Sequence, residues 1–272
     1  MEVLAMRRHR WRKHFHRFRP RVRRWRQRRE IEQPLDSRMS NFERLVAMTP
    51  QAARAQNAMD KHHGGYKNRE ARLMELIAFN DLFVDTVLSL PEDELPLFTE
   101  KLFSAMQAYC QKHREPMFQR EQYEAIAHGL SREIAVFKAA QANNFDVHMT
   151  SRQADSMGVD MQIRDLQTNK YINIDCKTPS SYRYRIHDLM REGRLSEQNG
   201  AAAMVRGFTQ STNGRGNEAV KVVLLRISDE EFGQIHHYQF VDTQLISERL
   251  HLIIQMHGLD DDNFYRYDES NN

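Results

Sequence analysis

Asp160, Asp175 and Lys177 are the residues of this chain whose types and spacing could do chemistry on a phosphate. They lie in the stretch GVDMQIRDLQTNKYINIDCK, residues 158–177. Two carboxylates on one surface repel unless a cation relieves them, and Mg²⁺ is held by one or two carboxylates plus waters and substrate phosphate oxygens. A lysine beside them could steady an attacking water and offset charge building on a phosphate. The competing reading is an exposed hairpin in which Asp175 and Lys177 make a weak surface pair.

A hairpin must present these residues. Val159, Met161 and Ile163 alternate with Asp160, Gln162 and Arg164, and Ile172, Ile174 and Cys176 alternate with Tyr171, Asn173, Asp175 and Lys177. Alternation of this kind predicts two half-buried strands around a polar turn at Asn169-Lys170. An even-numbered loop would put Asp160 on the face of Asp175 and Lys177, because directly opposed residues share a face. A loop at Gln167–Lys170 would set Asp160 opposite Lys177 and Gln162 opposite Asp175. An odd loop would split them unless a bulge intervened.

A third acid is predicted from the preceding helix. In SREIAVFKAAQANNF, Glu133, Val136, Phe137 and Ala140 fall on one helical face. The three apolar residues should be buried, so Glu133 turns towards the sheet, where a metal site would compensate its burial. The alternative is a helix start, with Ser131 as cap and Glu133 in the first turn.

Together these residues resemble the PD-(D/E)xK, or restriction-endonuclease-like, nucleases. That family has an α-β-β-β-α-β core, with an acid often supplied by the first helix, an aspartate by the second strand and an acid-x-lysine signature by the third. Here Glu133, Asp160 in GVD, and Asp175 and Lys177 in IDCK match that order over roughly residues 119–235. Val159 stands where the family name has proline. The resemblance implies an α/β fold with a mixed sheet, and Mg²⁺ (Mn²⁺ able to substitute) held by Asp160, Asp175 and Glu133. It gives Lys177 the role of orienting the nucleophilic water. It also makes TPSSYRYR a substrate-facing loop, with Thr178, Ser180, Ser181, Arg183 and Arg185 as phosphate contacts that position a duplex without reading its bases. The implied function is a metal-dependent nuclease acting on nucleic acid, DNA favoured over RNA. The alternative is a non-catalytic nucleic-acid-binding or assembly protein that retains the fold.

The rest of the chain divides by composition. Residues 1–29 carry 13 Arg/Lys against one acid, Glu2, while the remainder holds 27 basic and 36 acidic residues. The arm, 1–38, interleaves arginines with Trp11, Phe15, Phe18 and Trp25, a pattern suited to phosphates and stacked bases. A solvated tail, an upstream extension before Met39 and a transit peptide compete with that reading. Residues 39–115 are predicted helical, with Leu73, Leu76, Ile77, Phe83, Val84, Val87 and Leu88 near a common face and Pro91 starting a further helix. A nuclease domain is expected over 116–258 and an acidic tail over 259–272.

Within 116–258 the expected order is a helix at about 119–143, a strand at about 145–150 and the hairpin, then helical segments through AAAMVRGFTQ. A strand buried on both faces, AVKVVLLRI, comes next. HHYQFV is predicted as a short edge strand, and DTQLISERLHLIIQMHG as a closing helix capped by Asp242 and ended by Gly258.

Several chemistries are disfavoured. Cys110 and Cys176 form neither a disulfide framework nor a metal-type pair and read as core. NGRGNE lacks the lysine of a phosphate loop, His62-His63 reads as a loop, and His236-His237 would point to opposite faces of a strand. The acidic tail lacks the glycine and terminal glutamate of a calcium loop. Gln198 and Gln210 lie near the next predicted helix and could assist the site. With no run of ~18 apolar residues and no secretory signal, the expectation is a cytoplasmic protein without a membrane partner, a homodimer being compatible.

Overall fold

The computed structural model describes residues 39–61, 69–150, 154–155, 158–199, 202–212 and 216–259. The basic arm, His62-His63 and the acidic tail beyond Leu259 lie outside these residues.

Among the described residues three helices come first: α1 (Asn41–Lys61), α2 (Arg69–Ser89) and α3 (Leu95–His113). Ser40 opens α1 with a reciprocal cap, its N–H donating to Glu43 Oε2 at 2.8 Å and its Oγ accepting from Glu43 N at 3.3 Å. Pro91 does not start α3. It begins a turn closed by Glu94 N donating to the Pro91 carbonyl, and Pro96 occupies the first turn of the helix, where its missing N–H costs nothing.

Helix α4 (Arg120–Ala142) serves two cores. Tyr123, Ala127, Leu130 and Ile134 pack against Leu76, Phe79, Phe83 and Leu102 of the first helices. Val136, Phe137 and Ala140 pack against the sheet. The described residues therefore form one compact unit, with the helical region continuous with the sheet region.

The chain is mixed α/β. Its six-stranded sheet has the order β1-β2-β3-β6-β5-β4, from β1 (Asp146–Met149), β2 (Met161–Asp165), β3 (Lys170–Lys177), β4 (Leu195–Asn199), β5 (Ala202–Thr212) and β6 (Gly216–Arg226). Neighbours are antiparallel except β3 and β6, which run parallel. One face packs on α4 and α7 (Gln244–His257) through Met161, Ile163, Ile172, Ile174, Val223 and Leu225. The other packs on α5 (Pro179–Arg191), where Tyr182, Ile186 and Leu189 meet Val222 and Leu224. The β6 core thus buries successive residues to opposite sides, as AVKVVLLRI predicts.

Two predicted elements are corrected. AAAMVRGFTQ is strand rather than helix: it pairs along β6, and Ala202 and Met204 enter one core while Ala203 enters the other. Alanine favours a helix locally, but an open sheet edge beside β6 outweighs that preference. HHYQFV is a turn between two short strands, β7 (Ile235–His236) and β8 (Gln239–Phe240), not one strand. His237 and Tyr238 take φ of 49° and 65°, the left-handed pair of a two-residue hairpin turn. A short helix, α6 (Asp229–Phe232), precedes it. The closing helix α7 is capped at Thr243, one residue after Asp242, whose Oδ1 accepts from Gln244 N at 2.8 Å.

Candidate functional site

Strand β3 places Asp175 and Lys177 two residues apart, on the side of the sheet that faces α5; their register partners on β6 are Leu224 and Arg226. Asp175 is only 3% exposed, and its Oδ1 forms an ion pair with Lys177 Nζ. That ammonium also donates to the Cys176 carbonyl at 3.2 Å and lies 4.0 Å from Asp160 Oδ2. Burial disfavours the Lys177 charge, but the Asp160 and Asp175 carboxylates outweigh it and hold its pKa above the ordinary value. Lys177 is therefore a fixed cation.

The hairpin loop is even, and it lies one residue before Gln167–Lys170. Leu166–Asn169 connect the strands, because Asp165 accepts from Gln167 N and Thr168 Oγ1 and Asn169 takes a φ of 56°. Gln162 consequently faces Asn173, to which its Nε2 donates at 3.0 Å, and not Asp175. Asp160 is not opposite Lys177 either. It precedes β2, and its N–H donates at 2.8 Å to the carbonyl of Ile174, the residue that Met161 already faces. The regular ladder stops there, and the Asp160 side chain continues it, Oδ2 accepting from Cys176 N at 2.6 Å. Held among main-chain bonds at the strand end, the carboxylate reaches the α5 side through Lys177 and acts electrostatically on Glu133 of α4.

Glu133 lies deep within α4, so a first-turn role with Ser131 as cap is excluded. Burial, then the charges of Asp160 and Asp155, push its carboxyl well above the usual range. Burial also raises Asp160, with Asp175 and Asp155 adding to it against Lys177 and the Cys176 N–H. Asp155 is pushed up to about 7, by burial first and then by Asp81. Too much negative charge is gathered here for every carboxyl to ionise at its ordinary pH.

Glu133, Asp155 and Asp160 line two adjoining cavities, while Asp175 lies behind Lys177 and lines neither. One, of about 320 Å³, is bounded by Asp81 and Asp85 of α2, Glu133, Thr150, Asp155 and Asp160. The other, of about 240 Å³, runs from Asp81, Glu133 and Asp160 past Lys177 to Thr178 and Ser181. Asp81, Asp85 and Asp155 escaped the sequence reading. The spacing of Asp81 and Asp85, one helical turn apart beside an apolar face, is the signal that could have raised them; nothing local ties them to residue 160.

TPSSYRYR is not a loop. Pro179 begins α5 directly after β3, and Thr178 caps it by accepting from Ser181 N at 3.3 Å. Thr178 and Ser181 reach the cavity, Ser180 and Arg183 are exposed, and Arg185 approaches Gly158. Gly158 has a φ of +87°, and a Cβ there would stand 3.5 Å from Asp175 Oδ2 and 4.0 Å from Arg185 Nη2. Gln198 and Gln210 fall on strands β4 and β5. Cys176 is core, its thiol raised by burial above its ordinary pKa.

Among the described residues, no three His, Cys, Asp or Glu side chains stand close enough together to hold a metal ion by themselves. The second cavity brings together the Asp160 and Glu133 carboxyls, Lys177 and the N-terminus of α5, with Asp175 held against Lys177 behind it. The chain matches no protein-family model, no curated protein and no solved structure.

Proposed function

We propose that this cleft hydrolyses phosphodiester bonds in nucleic acid, DNA favoured, with Mg²⁺ and with Mn²⁺ able to substitute. The observation that carries the reading is the meeting of Asp160, Asp175 and Lys177 at the end of β2–β3, beside Glu133. The succession α4-β1-β2-β3-α5-β6 supports a restriction-endonuclease-like core, with β4 and β5 as an insertion before its last strand.

The donor set fits a hard divalent cation. Asp160 and Asp175 are buried carboxylates, Asp160 and Glu133 are pushed towards neutrality, and added positive charge relieves the repulsion between them. Mg²⁺ needs only one or two carboxylates, the remaining ligands being water and phosphate oxygens, so a complete protein cage is not required. Asp160 and Asp175 would hold it, with Glu133 directly or through water. Such an ion supplies Lewis-acid polarisation of the phosphate and a more acidic water.

The chain's own groups do the remaining work. Lys177, kept charged by its two aspartates, orients a water towards phosphorus and offsets the charge of the transition state. The Cys176 N–H fixes the Asp160 carboxylate, and Gly158 leaves space above Asp175. Thr178 and Ser181 offer hydroxyls to a neighbouring phosphate, at a helix end that favours anions.

The test is incubation of the full chain with linear, circular, branched and single-stranded DNA, with Mg²⁺, with Mn²⁺ and with chelator. Cleavage that requires the cation is expected. Intact substrates under every condition would overturn the proposal.

A further inference from the structure

We infer that the cleft receives one strand of nucleic acid, its backbone along α5 and a base stacked on Tyr184, rather than a continuous duplex. This rests on the nuclease reading and names the substrate class of the same site.

The two walls of the cleft differ in charge. One carries Asp81 and Asp85 of α2, with Asp155 beside them. The other is α5, with Thr178 and Ser181 at its start on the cavity and Arg183 and Arg185 further along the helix. Phosphates are favoured by the first-turn N–H groups and the arginines and repelled by the carboxylates. A duplex brings two backbones to its enzyme, and among the described residues only the α5 wall offers a helix N-terminus and arginines to one.

Size points the same way. Cavities of about 320 and 240 Å³ stand at or below the lower end of small-molecule sites, ~300–1,000 Å³. Space of this order takes a nucleotide at a time, which an enzyme reaches on a single strand or by drawing it out of a duplex.

Tyr184 supplies the second contact. It is 77% exposed, whereas Tyr182, two residues earlier on α5, is 2% exposed in the core. Ser181 lines the cavity and precedes Tyr184 by three residues, so the ring stands one turn further along the same helical face. Arg183 and Arg185 flank it in sequence. An exposed ring among arginines, next to the path of the phosphates, is a stacking platform that any base can use.

The test titrates full-length wild type, Tyr184→Ala and Tyr184→Trp into oligo-dT, oligo-rU and a duplex of matched length, followed by fluorescence anisotropy in chelator. At least one single strand should bind more tightly than the duplex, and the tighter of the two identifies the strand. Tyr184→Ala should weaken that binding roughly ten-fold, Tyr184→Trp should preserve it, and all three proteins should bind duplex alike because they share the arm. Equal or tighter duplex binding, or an alanine variant that binds single strands like wild type, would overturn the inference. Chelator separates this outcome from catalysis. Single-strand preference without cleavage counts only against the nuclease, and duplex cleavage without that preference counts only against the stacking strand.

Discussion

Asp160 and Asp175 are brought together where the ladder between their strands stops. Asp160 N–H bonds the carbonyl of Ile174, and its carboxylate takes the N–H of Cys176, the residue after Asp175. Lys177 pairs with Asp175 and lies 4.0 Å from Asp160. The interruption frees one aspartate from the strand's facing rule, and this lets it act on both α4 and β3.

Asp175→Asn should reduce cleavage by roughly 10²-fold or more while leaving the fold intact, since it removes charge without changing volume. The check is single-turnover cleavage beside near-ultraviolet circular dichroism. Wild-type cleavage would remove Asp175 from the mechanism.

Lys177→Met should destabilise the protein by about 3 kcal/mol at pH 8, because it leaves buried carboxylates without their cation. Combined with Asp175→Asn, the loss should be less than additive, as expected for two partners in one buried pair. Urea denaturation of the four proteins of this cycle gives the coupling. Strict additivity would contradict the pairing.

Asp155→Asn should stabilise the protein at pH 8 and not at pH 4. Burial holds this carboxyl at about 7 in the folded state, against an ordinary value of 3.8. Between those values the folded chain keeps a proton that the unfolded chain has lost, so stability falls as pH rises from about 4 to about 7 and stays reduced above. Discounted for its partial exposure to solvent, the gain at pH 8 is about 1–2 kcal/mol. Equal effects in denaturation at both pH values would refute the assignment.

Deleting residues 1–38 should weaken nucleic-acid binding in a salt-dependent way without altering cleavage chemistry. The segment's arginines would release condensed counterions, each neutralised duplex phosphate adding a slope of about −0.9 to log K against log salt. Binding across a salt series for both proteins is the measurement. Identical slopes would make the segment a passive tail.

Periodicity alone determined β3, β6 and α4, because burial on one face or on two leaves a repeat that a local reading detects. Glu133 was legible for the same reason: its spacing from Val136, Phe137 and Ala140 is local to one helix. The hairpin was legible, but neither the parity nor the position of its loop was, since Asp165 and Asn169 set a four-residue turn at 166–169. AAAMVRGFTQ shows the limit most clearly: its alanines favour a helix until β6 offers a distant partner, Ala202 pairing Leu225. The acidic wall of the cleft was decided by tertiary structure alone. Asp81 meets Glu133 and Asp155 only because α2 packs on α4 through apolar contacts such as Phe79 and Phe83 with Leu130 and Ile134. No pattern near any of these acids encodes that meeting, for it is the packing of distant apolar faces that sets which charges must share a cavity.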